Sequence, residues 1–155
     1  AELLVVSGST KKEKIDSTFQ GEIFQSSTIS GELVQFSGET MNVSEIEEVV
    51  LFSGIANEQR FEESVSEYHQ VQGHLKFSDH HNYTLQDLSR LRKLDSFGAA
   101  VNAVITTEKD AARLANSPIL NELKHIPMFY LPISIDFGES ASEFNKKILG
   151  YGKHA

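Results

Sequence analysis

The sequence has no cysteine, only three prolines and no long apolar run. Without cysteine there are no disulfides, no thiolate zinc sites and no cysteine nucleophiles, and a cytoplasmic location fits. No apolar stretch approaches the roughly 20 residues of a membrane-spanning helix. The opening Ala-Glu-Leu-Leu-Val-Val-Ser lacks the basic segment that begins a signal peptide. Positive charge is scarce: 14 Lys and Arg stand against 22 Asp and Glu, a net charge of −8. Nucleic acid binding needs a concentrated basic surface to release counterions. The densest basic cluster, Arg90, Arg92 and Lys93, falls on a predicted helix and reads as a solvated face. No nucleic acid partner is expected.

Several motifs are missing as well. There is no Gly-x-x-x-x-Gly-Lys-[Ser/Thr], no Gly-x-Gly-x-x-Gly and no Gly-x-Ser-x-Gly. Gly152-Lys153 has neither the upstream glycine nor the following hydroxyl. The sequence therefore shows no phosphate cradle.

What is present suits one compact domain. A chain of 155 residues with 39% hydrophobic and 23% charged residues can bury roughly two-thirds of its unfolded surface without a staple. Residues 1–44 read as short strands and turns: Leu3–Val6, Ile23–Phe24 and Leu33–Phe36 as strands, Lys11–Asp16 as a charged turn or short helix, Ser37–Glu39 as a turn. From residue 45 the pattern becomes regular. Val49–Phe52, Leu75–Phe77, Val101–Ile105 and Phe129–Ile133 are strand-like runs. Between them, Phe61, Val65 and Tyr68 mark one helix face, and Leu85, Leu88 and Leu91 another. Thr84 with Asp87, Thr107 with Asp110 and Ser140 with Glu143 have the spacing of helix starts. The last of these helices carries Phe144 and Ile148 and should end at Gly150. Strands alternating with amphipathic helices predict an α/β fold with a mostly parallel sheet covered on both faces, a three-layer arrangement.

Three polar clusters each follow a predicted strand and open a helix: Ser53–Asn57, Ser78–Asn82 and Thr106–Asp110. If the strands are parallel, all three lie along the carboxyl edge, where such sheets bind ligands. Gly54 and Asn57 suit an anion at a helix N-terminus, but a single such glycine more often marks only a tight turn with a helix cap. Asp79-His80-His81 sets an imidazole beside a carboxylate, the usual support for general acid–base work. The same residues suit a turn-shaping loop, and His69 and His74 nearby raise a metal site that matches no known spacing. Thr107, Glu108 and Asp110 are ordinary at a helix start. Lys109 is the misfit, because a cation is disfavoured there; it implies an anionic partner or a salt bridge.

Leu51–Asn57 with Phe61, Phe77–Thr84 (Phe-x-Asp-His-His-x-Tyr-Thr), Thr107–Ala111 (Thr-Glu-Lys-Asp-Ala) with Arg113-Leu114, and Tyr130–Ile133 occur in an order that resembles the C-terminal part of tetraacyldisaccharide 4'-kinases. The likeness covers residues 49–151, and Ala1–Ser7 is similar to a further strand of the family, with Glu2 where Asp is usual. Residues 8–45 match poorly. The resemblance implies a sheet of the P-loop or Rossmann-like type. It implies a kinase that uses ATP and Mg²⁺ to phosphorylate the 4'-hydroxyl of a tetraacyl disaccharide 1-phosphate, giving lipid IVA. That reaction belongs to the cytoplasmic face of the inner membrane of Gram-negative bacteria. In the family, the phosphate loop, the magnesium-binding acids and the membrane-facing segment precede the stretch matched by Ala1. Asp79 and His80 then stand for the pair that supports the catalytic acid. Thr107, Glu108, Lys109 and Asp110, with Gly54 and Asn57, stand on the nucleotide side. Residues 1–44 would be a remnant of a preceding lobe and residues 45–155 the C-terminal α/β lobe. This chain alone would be inactive, with no ATP or Mg²⁺ bound and the P-loop lobe as its missing partner.

Two other classes remain at this stage. One is a non-catalytic α/β interaction domain. The other is a metal phosphoesterase of the Asp-His-His type, which needs further aspartates on its N-terminal strands, whereas residues 1–60 hold only Asp16.

Overall fold

A computed structural model describes residues 3–7 and 19–151. Lys11–Asp16, expected as a charged turn or short helix, lies outside them. The chain forms two compact units, residues 31–132 and residues 1–30 with 133–155. The units divide at residues 30 and 132, where the sequence pattern suggested a change at residue 44. The physical reason is pairing: a strand before residue 44 joins the large sheet, and the last helix belongs with the first strands.

The larger unit is built on a five-stranded sheet. Its strands are β3 (Val34–Ser37), β4 (Glu48–Ser53), β5 (Gln70–Lys76), β6 (Val101–Thr107) and β7 (Met128–Leu131), in the order β3-β7-β6-β4-β5. β5, β4, β6 and β7 run parallel, and only the edge strand β3 is antiparallel. Alternation along each strand sends side chains to two separate cores. Val50, Phe52, Val104 and Met128 pack on one face with Leu88, Leu91, Leu114, Leu123 and Ile126. Val49, Leu51, Ala103, Ile105, Phe129 and Leu131 pack on the other with Phe61 and Val65. Each of these buried side chains larger than alanine contributes on the order of 1.5–3 kcal/mol. The near-continuous apolar runs of β4 and β6 thus have a physical cause: both faces are covered, which makes three layers.

The helices are α1 (Glu58–Ser66), α2 (Leu85–Leu88), α3 (Glu108–Ala115) and α4 (Ile119–Glu122). Thr84 and Asp87 make the expected reciprocal capping box on α2. α2 is shorter than its apolar pattern suggested and continues as a 3-10 segment, Ser89–Ser96, kinked at Lys93. Arg90, Arg92 and Lys93 are exposed there, and Arg92 Nη2 reaches Glu122 Oε2 at 2.8 Å. Tyr68 does not share the face of Phe61 and Val65. α1 stops before it, and Tyr68 is 78% exposed.

The smaller unit has a three-stranded sheet of β1 (Leu3–Ser7), β2 (Glu22–Ser30) and β8 (Ile133–Asp136), with β1 parallel and β8 antiparallel to β2. The single strand expected over Phe129–Ile133 is therefore two. Pro132 has no N–H to give a ladder, and Ile133 belongs to the other sheet. Helix α5 (Ala141–Tyr151) sets Phe144 edge-on to Phe24 at 5.3 Å and stacked on Phe137 at 3.9 Å. The chain enters α5 through a 3-10 turn, Gly138–Ser140, so Ser140 is already helical and is not the cap. Gly150 lies inside α5 rather than ending it.

Candidate functional site

Because β4, β5 and β6 are parallel, Ser53, Lys76 and Thr107 end at the same edge, and the three polar clusters follow them there. The chain leaves β4 for α1 on one face of the sheet and leaves β6 for α3 on the other. Adjacent strands whose connections diverge in this way open a crevice at their carboxyl ends, the usual ligand position in such sheets.

Asp110 occupies that crevice. It is fully buried in the first turn of α3. Its Oδ2 accepts from the Gly54 N–H at 3.0 Å and from Thr107 Oγ1 at 2.7 Å, and its Oδ1 accepts from Arg113 Nη1 at 3.0 Å. A buried carboxylate is tolerable only with such pairing. Arg113 Nη1 also donates to the Gly54 carbonyl at 3.2 Å, so one carboxylate and one guanidinium clasp both ends of this glycine. Only glycine fits: a Cβ here would come within 2.9 Å of Tyr83 Oη and 3.2 Å of the Ser78 carbonyl. Tyr83 Oη is buried and has no hydrogen-bond partner among the described residues. Burial, and then the Asp110 charge, push its phenol well above the usual range.

Asp79 and His80 lie beside this clasp. Arg113 Nη2 donates to His80 Nδ1 at 3.0 Å. A guanidinium cannot accept, so the Nδ1 atom is bare and the ring's proton sits on Nε2. That Nε2 faces Asp79 Oδ2 at 3.6 Å. Asp79 Oδ1 accepts from the His80 N–H at 2.9 Å and from Lys109 Nζ at 3.0 Å. The Lys109 bond first, helped by His80, holds the Asp79 carboxyl below its ordinary value. His80 has φ 61°, a left-handed conformation that costs on the order of 1–3 kcal/mol and persists only where its surroundings impose it. The Asp79 and Arg113 contacts do so, leaving the His80 side chain 74% exposed. His81 turns the other way. It stacks on Phe77 at 4.8 Å, and its Nε2 meets Asp87 Oδ2 at 3.0 Å, tying the loop to the α2 cap.

Of the residues singled out in the sequence, Asp79, His80, Lys109, Asp110, Thr107 and Gly54 thus come together. Lys109 at a helix start is explained by its ion pair with Asp79. Asn57 stands apart, its Oδ1 capping α1 through the Arg60 N–H at 3.3 Å. Glu108 is exposed and makes no side-chain hydrogen bond among the described residues. The residue that joins the clusters, Arg113, was legible only as part of a motif, although its i,i+3 spacing from Asp110 was a usable signal. No three His, Asp or Glu side chains converge as a metal site among the described residues.

Comparison with known proteins decides the family. The sequence model of tetraacyldisaccharide-1-P 4'-kinase matches residues 1–151. The chain belongs to the tetraacyldisaccharide 4'-kinase family. It is 32% identical over 120 residues to the tetraacyldisaccharide 4'-kinase of Phocaeicola vulgatus, covering 74% of this chain and 33% of that protein. To that of Parabacteroides distasonis it is 30% identical over 133 residues, covering 81% and 36%. The chain thus spans about a third of the length of these kinases. A crystal structure of LpxK from Aquifex aeolicus in complex with ATP shares the fold at TM-score 0.56, covering 97% of this chain and 42% of that one at 18% identity. The α/β, mostly parallel architecture expected from the sequence is therefore the architecture found.

Proposed function

We propose that this chain is the C-terminal part of a kinase that transfers the ATP γ-phosphoryl group to the 4'-hydroxyl of tetraacyldisaccharide 1-phosphate, giving lipid IVA, and that it is inactive alone. The longer protein would act at the cytoplasmic face of the inner membrane. The observation that carries this reading, beyond family membership, is the Lys109–Asp79–His80–Arg113 network at the carboxyl edge of the sheet.

The chain's own groups divide the work. Arg113 fixes the His80 tautomer, so Nε2–H is the proton-bearing atom at the exposed end. Asp79 orients that ring, and the Lys109 bond holds its carboxyl below the ordinary value. This is the equipment of a pair that steadies a catalytic acid in the rest of the enzyme. It is not the equipment for holding Mg²⁺ and ATP. Phosphoryl transfer is catalysed by charge neutralisation and backbone amides. Lys109 and Arg113 are each paired with a carboxylate, and the sequence has no phosphate loop. We therefore assign no nucleotide step to these residues. Thr107, Glu108, Lys109, Asp110, Gly54 and Asn57 border the nucleotide side at most by shaping the edge.

The test is the product of the complete gene. An in-frame extension before Ala1 should encode Gly-x-x-x-x-Gly-Lys-[Ser/Thr]. Replacing His80→Ala in that protein should lower kcat by about a hundredfold or more, the range for a lost acid–base group, with KM for ATP little changed. Unchanged kcat would remove His80 from the reaction.

A further inference from the structure

We propose that His74 is a positioning residue for this site, holding the end of β4 through Ser53 so that Gly54 can lock Asp110 and Arg113 behind His80. The proposal rests on the reading of Asp79 and His80 as the functional pair. His74 lies on β5 with its side chain 4% exposed. Its Nε2 meets Ser53 Oγ at 2.8 Å and its Nδ1 meets Glu62 Oε2 at 2.8 Å. Glu62 projects from α1 and is also paired with Lys76 Nζ at 3.1 Å. The His74 bond first, and then Lys76, hold the Glu62 carboxyl below its ordinary value.

The order serine–histidine–carboxylate is that of a nucleophile, its base and the base's orienter. Burial excludes that use here, because Ser53 is completely enclosed and no substrate atom can reach its hydroxyl. What remains is mechanical. Ser53 is the last residue of β4, and Gly54 is the next. Three elements, β4, β5 and α1, are tied at this one imidazole. The Ser53 carbonyl also accepts from the Phe77 N–H at 2.9 Å, where the chain turns into the Asp79–His80 loop. The relay therefore fixes both the glycine that Asp110 and Arg113 grip and the start of the loop that carries their partner.

The test uses hydrogen exchange and ring nitrogen NMR on this chain, neither of which needs catalysis. The Gly54 N–H is the reporter. The Val104 N–H, bonded to the Pro127 carbonyl at 2.9 Å in the same sheet, is the control. Ser53→Ala and His74→Asn both cut the bond at Ser53, because an asparagine amide reaches only the place of Nδ1. His74→Gln, whose amide reaches the place of Nε2, keeps it. We expect Gly54 to exchange about tenfold faster in the first two variants, the scale of one buried hydrogen bond. Val104 should stay within about twofold. The His80 ring should shift from a single Nε2–H tautomer to a mixture, and His74→Gln should resemble the parent. Should Ser53→Ala not fold, Glu62→Gln, at the half-exposed end of the relay, gives the same local response more weakly. Equal acceleration of Gly54 and Val104 would make His74 merely structural and overturn the proposal, as would an unmoved Gly54. A failure of the kinase reading alone leaves these signals intact and shows only in turnover.

Discussion

The two units of this chain differ in how far their own residues enclose them. In residues 31–132 the sheet carries a buried core on each face, and Val49, Val50, Leu51 and Phe52 are all completely enclosed. In residues 1–30 with 133–155, Phe24 is the only apolar side chain buried among the described residues, while Ile133, Ile135 and Leu149 are 60%, 67% and 69% exposed. The first unit has the burial of a domain, and it also carries the polar network. The second unit has strands and a helix, but its described residues share little core. The lesson is that the site at the carboxyl edge of β4 and β6 needs only the first unit for its geometry. The kinase reading proposed above also calls on a phosphate loop, whose motif the sequence does not contain.

That contrast can be broken or sharpened by substitution. Phe52→Ala should lower unfolding free energy by about 3–5 kcal/mol, read from the urea midpoint. Ile135→Ala, in the smaller unit, should stay within about 0.5 kcal/mol. Equal costs would mean that stability is shared evenly, against the burial pattern. Gly54→Ala comes next. The added methyl meets Tyr83 Oη and the Ser78 carbonyl, so a cost of about 1–3 kcal/mol is expected. Adding Tyr83→Phe, which removes a hydroxyl that has no partner, should recover part of that cost; no recovery would show that the backbone at Ser78 sets the clash. The smallest stability change should come from Lys109→Ala, since its ion pair is exposed. Its readout is electrostatic. The Asp79 carboxyl is held below its ordinary 3.8. A lowered folded-state pKa contributes stability that is present above that ordinary value and is lost as pH falls through the folded value. Without Lys109 the ¹³C titration of Asp79 should move up toward 3.8, and this acid-sensitive contribution should shrink. An unmoved titration would show that Lys109 is not the main cause.

Much of the larger unit could be read from local pattern. β4 and β6 appear as apolar runs because both faces are covered. Thr84 with Asp87 and Thr107 with Asp110 appear as helix starts because capping is a contact between near neighbours in sequence. The misfit of Lys109 implied an anionic partner or a salt bridge, and an ion pair with Asp79 is present. What escaped were contacts between distant residues. Nothing near Asp110 announces that it will grip Gly54, 56 positions away. Nothing near His74 announces Ser53, 21 positions away. Pro132 was seen, but it reads as the end of a strand when it is the point where one sheet hands over to another. Tyr68 fitted a helical spacing that the helix did not live to use. The smaller unit was the least legible, because weak burial leaves a weak pattern.

The measurement that tests the central claim most directly is ATP turnover by the purified 155-residue chain with Mg²⁺ and tetraacyldisaccharide 1-phosphate. The account predicts no product above background, because the chain positions Asp79 and His80 but its sequence holds no phosphate-loop motif. Formation of the 4'-phosphorylated product by this chain would contradict it.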